Sequence, residues 1–483
     1  SPAPYVVTRR PPPMGRPRSP SSSSRPADPS DGPPHSGLLE VDASVVEDIA
    51  ALLAEGQRGM VLNLVADLYP ADVALLLRRL PEEEGRQLFR WLPPTLGSDV
   101  LAEMEDAVRV RLLAGLAPPL LVDLIDALDT DDAADVLADL PDERALRVLP
   151  DLADTEDLTE LLEYGEETAG GLMAREYVAI PPDWTLREAT EEVRRSAADV
   201  DEVYTAYVVD DGTLVGILSL KQLLLSAGSV QVRDVMETDF ITVAPDVDQE
   251  EVSRVVQRYD LVSVPVVDEA GRMMGRITID DVVDVIRDEA EEDIQLMSGL
   301  TGQEDTVDTA VQVSRGRLPW LIIGLVGSGL SGTVIGAFEA TLQQAVVLAT
   351  FIPIVTAMGG NAAVQSAAIA VQGLGSGELW MSDAFRRIGK EMLVALLNGS
   401  VVAALLCGTV AALGLGHVTA LVATLGLTML AVSFVATTNG ALIPFVLTWL
   451  GVDPASAMGP FVTTLNDILG LAIYFLIATG LYL

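Results

Sequence analysis

Asp467 is a carboxylate within a run of apolar residues long enough to cross a lipid bilayer. It belongs to the sequence GPFVTTLNDILGLAIYF, which begins at Gly459. Lipid offers no water to an ionised side chain, so a carboxylate in a spanning helix faces a partner or a water-filled path. In a helix Thr463 and Asp467 share one face, with Pro460 one turn earlier. No Lys or Arg lies in the apolar runs to pair with Asp467, so this stripe indicates a transported cation as the counter-ion.

A second apolar run, FIPIVTAMGGNAAVQS, carries Gly359, Gly360, Asn361 and Gln365. Glycines in a spanning helix allow close approach of neighbouring helices, and amide side chains there need partners. Two interpretations remain open for this segment: tight helix packing through small residues, or a pore wall of backbone carbonyls and Asn361.

A third segment, DDVVDVIRDEAEEDIQLM, holds eight acidic residues against one Arg287. Like charges three or four residues apart destabilise a helix by a few tenths of a kcal/mol per pair. The segment is either a solvated charge run or a switch element held by divalent cations, because hard cations take carboxylate oxygens.

Charge and apolar residues are segregated along the chain. The formal net charge is −40 over 483 residues, yet 49% of the residues are hydrophobic. From Leu318 onward six acids and three bases give −3, which leaves −37 for the first 317 residues. Such an acidic head repels nucleic acid and anionic lipid and attracts cations. The single cysteine, Cys407, excludes a disulfide framework and a cysteine-based metal site, and no nucleophile–base pair or phosphate-binding glycine loop indicates an enzyme.

The middle of the chain contains an internal repeat of about sixty residues with the order β-α-β-β-α. One copy begins near Leu172 and the other near Val235, and the repeat resembles a tandem CBS-domain pair. Such pairs bind a regulatory ligand, often an adenine nucleotide such as ATP or a metal ion. A Ser/Thr-x-x-Asp at the last helix can hold a ribose, which Thr278 and Asp281 fit, whereas the first copy has Gln222 in place of the carboxylate.

These patterns predict a multidomain membrane protein with an α-helical superhelical N-domain, α+β tandem CBS domains and a five-helix transmembrane domain. The predicted segments are a disordered tail (1–37), an acidic all-helical N-domain (38–166), the CBS pair (167–288), a connecting, plug-like helix (289–316) and the pore domain (317–483).

Five apolar runs each reach the roughly 20 residues that a spanning helix needs. We expect them at Leu318–Ala340, Ala345–Leu374, Met392–Leu415, Val418–Trp449 and Pro460–Leu483. No signal peptide is visible and the basic residues Arg386, Arg387 and Lys390 follow the second run, so the positive-inside rule predicts a cytoplasmic head and an outside C-terminus. The segment WMSDAFRRIGKEM is typical of an interfacial amphipathic helix.

The order of these domains resembles the MgtE magnesium channels, from about Leu38 to Leu483. The motifs that carry the resemblance are DVDQEEV, ITIDDVVDV followed by EAEEDI, RLPWLIIGLVGS, GGNAAVQSA, GVDPASAMGP and TTLNDILGLAIYF. The resemblance implies a homodimer in the plasma membrane whose pore lies between the subunits. It also implies that Asp467 binds a hydrated Mg²⁺ and that the second and fifth spans line the pore through Gly360, Asn361, Gly459, Pro460, Thr463 and Asp467.

The resemblance further implies regulatory magnesium sites on the cytoplasmic side. By motif they map onto Asp248, Glu250, Asp260, Asp281, Asp284, Glu289, Glu292, Asp293 and Asp453. We therefore expect a Mg²⁺-selective uptake channel that closes when cytosolic Mg²⁺ binds the acidic faces of the N, CBS and connecting-helix regions. The alternatives are a carrier-type divalent cation transporter, against which no inverted repeat is seen, and a membrane-tethered CBS nucleotide sensor that transports nothing.

Overall fold

The computed structural model describes residues 43–197, 200, 203–300, 310–415, 417–457 and 459–483. The predicted disordered tail, residues 1–37, lies outside the described residues, as do 301–309 of the predicted connecting helix. The chain divides into two compact units between Val285 and Ile286.

The first unit begins with ten short helices that form the N-domain. Proline at the start of α3, α5 and α7 suits the first helical turn, where no backbone N–H is needed. Helices this short are marginal alone, so their stability comes from packing. Alternate helices contact one another (α3 with α5, α5 with α7, α7 with α9), which builds a superhelix around buried leucines and valines. The helices are α1 Ala43–Ala54, α2 Arg58–Val65, α3 Pro70–Arg79, α4 Glu82–Phe89, α5 Pro94–Ala102, α6 Asp106–Leu113, α7 Pro118–Ile125, α8 Thr130–Ala138, α9 Asp142–Val148 and α10 Thr155–Leu161.

The CBS part of the first unit follows the predicted repeat, with one difference. Its elements are β1 Ala179–Ile180, α11 Leu186–Ser196, β2 Thr205–Asp210, β3 Thr213–Ser219, α12 Leu220–Leu225, α13 Gln249–Tyr259, β4 Ser263–Val267, β5 Met273–Thr278 and α14 Ile279–Met297. Strand β1 pairs parallel to β2, and the hairpins β2–β3 and β4–β5 are antiparallel. The register shifts at Val208/Val209 in one hairpin and at Val266/Val267 in the other, so the two copies share a bulge.

The repeat also predicts a strand at Ile241–Val243 that matches the one near Val178 in the first copy, and this prediction is wrong. The strand is reduced to one bridge between Val243 and Val266. Pro245 lies two residues further on and has no N–H with which to continue the ladder.

The second unit contains five helices that are long and apolar enough to cross a membrane. Their spanning segments are Ala310–Ala337, Val346–Gly375, Met381–Leu413, Val418–Leu450 and Phe461–Leu481 among the described residues. The helices are α15 Ala310–Ala337, α16 Glu339–Gln344, α17 Ile352–Gly375, α18 Ala384–Leu413, α19 Val418–Leu450 and α20 Pro460–Leu481. The segment WMSDAFRRIGKEM is helical from Met381 onward and, from Ala384, continuous with the spanning helix α18; its interfacial position stays a prediction. No proline interrupts the chain between Ala384 and Leu413.

Helix α19 is the centre of the second unit. It packs on α18, α17 and α20, whereas α15 packs on α20. The core between these helices includes Met429, Phe351 and Phe475. The Tyr474 hydroxyl donates a hydrogen bond to the Leu348 carbonyl at 2.8 Å, so a buried polar group in the core is satisfied.

Two glycines set how closely the helices approach. A Cβ at Gly440 of α19 would lie 2.2 Å from the carbonyl oxygen of Ala363 on α17. A Cβ at Gly327 of α15 would lie 2.0 Å from Thr464 Cγ2 on α20. Small residues at these points let backbones approach within a membrane domain, where packing supplies much of the attraction between helices.

We predict that Gly440→Ala destabilises the second unit by about 1–3 kcal/mol, the usual range for overpacking. The clash is with backbone and cannot be relieved by a side-chain rotation. The measurement is the apparent melting temperature of the full-length protein in detergent. Gly408→Ala on α18 is the matched control, because nothing lies within 4 Å of its added Cβ. Equal melting temperatures for the two variants would contradict the packing argument.

Candidate ion pathway and regulatory acids

A groove of about 350 Å³ lies between α17 and α20 of the second unit. Its lining residues are Thr356, Ala357, Gly360, Asn361, Val364, Gln365, Thr463 and Asp467. The α17 members recur at spacings of three and four and so occupy one face of that helix. The opposite face of α17, which includes Gly359, Ala363 and Ser366, is buried in the unit.

The groove is narrow where α17 and α20 meet. A Cβ at Gly360 would lie 3.3 Å from Thr463 Cγ2, so the absence of a side chain at Gly360 keeps room for Thr463. The Thr463 hydroxyl donates to the Gly459 carbonyl at 2.6 Å, and its oxygen lone pairs remain to accept hydrogen bonds. Asn361 is exposed on the groove side of α17.

Asp467 lines the groove and is partly exposed. Among the described residues no hydrogen bond or ion pair to its carboxylate is found. The neighbouring Asn466 is 2% exposed, donates to the Val462 carbonyl at 2.8 Å and accepts from Asn439 Nδ2 of α19 at 3.5 Å. Asn466 is therefore an internal contact between α20 and α19, and Asp467 is directed to the other side.

The structure brings together four of the six residues predicted to line a pore: Gly360, Asn361, Thr463 and Asp467. Gly459 does not line the groove. Gly459 is the N-cap of α20, and a Cβ there would lie 2.8 Å from the Cα of Gly299. Thr356 also lines the groove and was not predicted to do so, although its spacing from Gly360 places it on the same face of α17.

Within the second unit, the end of α14 packs against α17. Leu296 and Met297 pack against Ala367 and Val371 of α17 and against Ala455 of the 3₁₀ turn Ala455–Ala457. Ala367 and Val371 are both buried and lie one and two turns along α17 from the groove residue Val364. Apolar burial therefore attaches the end of α14 to α17.

Three predicted acids of the first unit already have local structural roles. Asp248 is the N-cap of α13 and accepts from the Glu250 N–H at 2.9 Å, and Glu250 pairs with Arg254 at 2.7 Å. Asp260 is the C-cap of α13 and is left-handed, with φ 52°. Such roles leave carboxylate oxygens for further ligands, since each carboxylate has about four acceptor sites.

Asp281 lies at the start of α14 and faces acids of the N-domain. It accepts from the N–H and the hydroxyl of Thr278 at 3.1 and 2.7 Å. Burial and the nearby Asp280 raise the pKa of Asp281 to about 6. Burial and the charge of Asp281 raise the pKa of Asp132 to about 7, and the same two causes raise that of Asp131.

A second N-domain acid faces α14 one turn further on. Burial raises the pKa of Glu103, and the charges of Asp284 and Asp280 add to the effect. The N-domain acids Glu103, Asp131 and Asp132 were missed as single residues in the sequence. The DTDD run at the start of α8 was the signal for two of them.

The remaining predicted acids belong to the second unit. Glu289, Glu292 and Asp293 lie on the later turns of α14, and Asp453 accepts from the N–H groups of Ala455 and Ser456 at 3.0 Å. Across the described part of the chain, no three Asp, Glu, His or Cys side chains are grouped closely enough to hold a metal ion directly. Mg²⁺ usually keeps several of its waters, so contacts through water suit this spacing.

Comparison with protein families gives matches along most of the chain. Residues 352–477 match the MgtE model, described as a divalent cation transporter, and 68–167 match the MgtE intracellular N domain. Residues 169–227 and 232–288 each match the CBS domain.

Curated relatives are similar over much of their length. The magnesium transporter MgtE of Bacillus subtilis (strain 168) is 34% identical over 440 residues, which covers 89% of this chain and 96% of the relative. The magnesium transporter MgtE of Thermus thermophilus is 37% identical over 325 residues, covering 67% and 72%. A crystal structure of the cytosolic domain of the Mg²⁺ channel MgtE in complex with ATP is 33% identical, with a TM-score of 0.48, and covers 50% of this chain and 99% of that one.

The relatives are named as transporters, and the five apolar helices agree with that class. The helical N-domain, the tandem CBS domains and the apolar helices confirm the predicted fold class. This chain, an integral membrane protein, belongs to the MgtE family of magnesium transporters.

Proposed function

We propose that the protein is a Mg²⁺-selective channel that mediates magnesium uptake across the plasma membrane, with its N-terminal domains in the cytoplasm and its C-terminus outside. The observation that carries the proposal is Asp467, a carboxylate in a spanning helix that lines a groove and has no partner among the described residues. In a membrane, water would hydrate this carboxylate and a passing cation would balance its charge. Catalysis is not part of the proposal.

The groove is open on one side, and a second subunit would close it. In a homodimer two such grooves, facing each other, would form one path with two Asp467 carboxylates. A hydrated Mg²⁺ would then be held through its water shell by Asp467, Thr463 and Asn361. Selection would depend on the rigid octahedral hydrate of Mg²⁺, which the larger and looser Ca²⁺ matches poorly.

Gating follows from repulsion among the acids of the first unit. Burial is the main cause of the raised pKa values of Asp132 and Asp281, and a nearby acid adds to each: Asp281 to that of Asp132, and Asp280 to that of Asp281. The ionised forms are therefore unfavourable where the N-domain faces α14. Cytosolic Mg²⁺ would neutralise these faces and hold them together. A shift from 1:99 to 99:1 in a two-state equilibrium takes about 5.5 kcal/mol of differential binding, which several weak sites can share.

Helix α14 is the element that would carry the signal. It begins in the first unit at Ile279 and ends in the second at Met297, where it packs against the pore helix α17. The acids at its start sense the ion, and Leu296 and Met297 at its end contact α17. Binding of Mg²⁺ that holds α14 in place would therefore hold α17 in its closed position.

ATP is the second regulatory ligand that the Thr278–Asp281 pattern would suit. The carboxylate of Asp281 already caps its own helix and faces Asp131 and Asp132. These charges repel phosphate groups and attract cations, so we propose Mg²⁺ as the regulator that binds at Asp281.

A carrier and a non-transporting sensor remain the alternatives to test. Patch recordings from the wild-type channel should show unitary Mg²⁺ current steps. Purely saturable flux that depends on a counter-ion would instead favour the carrier.

We predict that Asp467→Asn carries no Mg²⁺ current and no longer restores the growth of uptake-deficient cells at low magnesium, because the amide removes the charge that attracts the hydrated ion. The measurement is Mg²⁺ uptake normalised to protein in the membrane. Glu339→Gln, which neutralises an exposed acid of the same unit, is the control and should transport normally. Normal uptake by Asp467→Asn would exclude Asp467 as the ion site, whereas the absence of uptake by the wild type in the same cells would favour the sensor.

We predict that combined replacement of Asp281, Asp284, Glu289 and Glu292 by their amides gives a channel that stays open at high cytosolic Mg²⁺. The neutral faces no longer need a cation to approach each other or to fix α14. The measurement is channel open probability as internal Mg²⁺ is raised, with and without ATP. Four exposed N-domain acids, Glu47, Asp48, Glu55 and Asp142, replaced in the same way form the control. Closure of both variants at the wild-type concentration would refute the acid-bridging mechanism.

We predict that Asp132→Asn stabilises the magnesium-free protein at pH 8 by about 1–2 kcal/mol. The pKa of Asp132 in the folded protein, about 7, lies above that of the unfolded chain. Stability from its protonation is therefore full at low pH and is lost as the pH rises through about 7. The variant should have a higher melting temperature at pH 8 and a shallower pH dependence between pH 5.5 and 8.

The control for this prediction is Asp123→Asn, which neutralises an exposed acid of α7. Added Mg²⁺ at pH 8 should raise the melting temperature of the wild type more than that of Asp132→Asn. An unchanged pH profile in Asp132→Asn would show that this acid is not part of the repulsive face.

A further inference from the structure

A second carboxylate of the membrane unit, Glu391 of α18, takes no part in the proposed ion pathway. It is only 6% exposed and its Oε1 accepts from Arg387 Nη2 at 2.5 Å, one helical turn earlier. Its other oxygen, Oε2, accepts from the hydroxyl of Ser366 on α17 at 3.1 Å. Ser366 is 2% exposed. The ion pair and the hydrogen bond together form a buried three-residue network between two spanning helices.

An ion pair buried between membrane helices carries a large desolvation penalty. Burying two charges costs several kcal/mol per ion, and only good geometry and further hydrogen bonds offset this penalty. Arg387 Nε remains buried with no hydrogen-bond partner among the described residues, so part of that cost is not recovered. Each of the two carboxylate oxygens of Glu391, in contrast, has a hydrogen-bond partner.

The network joins two helices that otherwise have few direct contacts with each other. Both α18 and α17 pack mainly on α19, and α17 also packs on α20. The hydrogen bond from Ser366 to Glu391 therefore adds a direct polar connection from α18 to the pore helix. Ser366 also neighbours Ala367, which packs against the end of α14.

Ser366 lies on the back of α17 relative to the groove. At 100° per residue it is about 140–160° around the helix from the groove residues Asn361 and Val364. A directional bond on the back of a helix opposes its rotation, whereas apolar packing alone tolerates small turns. The bond to Glu391 thus fixes which side chains of α17 face α20 and Asp467.

We propose that Glu391, held by Arg387 and bonded to Ser366, is a positioning residue for ion selection. It sets the rotation of α17 and thereby the distance of Asn361 and Gln365 from Asp467 across the groove. The proposal rests on the proposed function of the groove as the ion path. Glu391 itself does not touch the ion.

The test is Ser366→Ala, which removes the inter-helix hydrogen bond and leaves the Arg387–Glu391 ion pair intact. The readout is the permeability of Mg²⁺ relative to Ca²⁺, from reversal potentials of the full-length channel. We expect this ratio to fall about three- to tenfold, within the range by which residues away from a binding site alter its energetics. A loss of folded protein reduces both currents equally and leaves the ratio unchanged.

Ser433→Ala is the matched control, because Ser433 is another buried hydroxyl of the unit, on α19 next to Gly399. It should retain the wild-type ratio. Glu391→Gln is the second variant. It keeps an acceptor for Ser366 but loses the ion pair, so its ratio should lie between those of the wild type and Ser366→Ala.

A wild-type ratio in Ser366→Ala and in Glu391→Gln would overturn the positioning role. That result is distinct from a failure of the proposed function, which would appear as normal uptake by Asp467→Asn. If Asp467→Asn stops transport while the two variants keep the ratio, the ion path stands and Glu391 is only structural.

Discussion

The main constraint on the second unit is the desolvation free energy of a charged side chain in a medium without water. Two carboxylates of the unit meet this constraint in different ways. Glu391 is buried and has both of its oxygens bonded, one to Arg387 and one to Ser366. Asp467 has no such partner among the described residues and lines an open groove. A charge that protein groups do not satisfy must be satisfied by water and ions. The same rule that makes Glu391 a contact between helices therefore supports the proposal that Asp467 attracts a mobile cation.

That contrast works only if the helices are held at fixed distances and rotations. Gly440 lets α19 approach the backbone of α17, and Gly360 keeps room for Thr463 on the groove side. Close packing of this kind sets distance, and the polar contacts Ser366–Glu391 and Asn439–Asn466 set rotation. The side chains that face the groove are therefore fixed by contacts on the far sides of α17 and α20.

Much of this organisation could be predicted from the sequence. The five apolar runs, the repeated β-α-β-β-α order and the stripe ending in Asp467 are periodic signals, and each gave elements close to those observed. Periodicity did not predict two element boundaries correctly. Near Pro245 the expected strand is only one bridge. The amphipathic segment continues into α18 because no helix-breaking residue separates the two. Local patterns also could not pair residues distant in sequence. Asp132 and Asp281 are 149 positions apart, and only the fold shows that burial and the charge of Asp281 together raise the pKa of Asp132.

The same limit explains why Glu391 and Asp467 could not be distinguished from their types alone. Arg387 precedes Glu391 by four residues, a spacing common on solvent-exposed helix faces, where an ion pair contributes little. Only the tertiary contact with Ser366 shows that this pair is buried and joined to the pore helix. For Asp467 the sequence predicts a carboxylate without a neighbouring base, because the nearest bases lie in another helix and no local spacing brings one to it. Its role as an ion site stays a prediction. The sequence therefore predicts an unpaired acid in a spanning helix when no basic residue lies nearby. When a base lies one turn away, the sequence does not show whether the pair is buried or exposed.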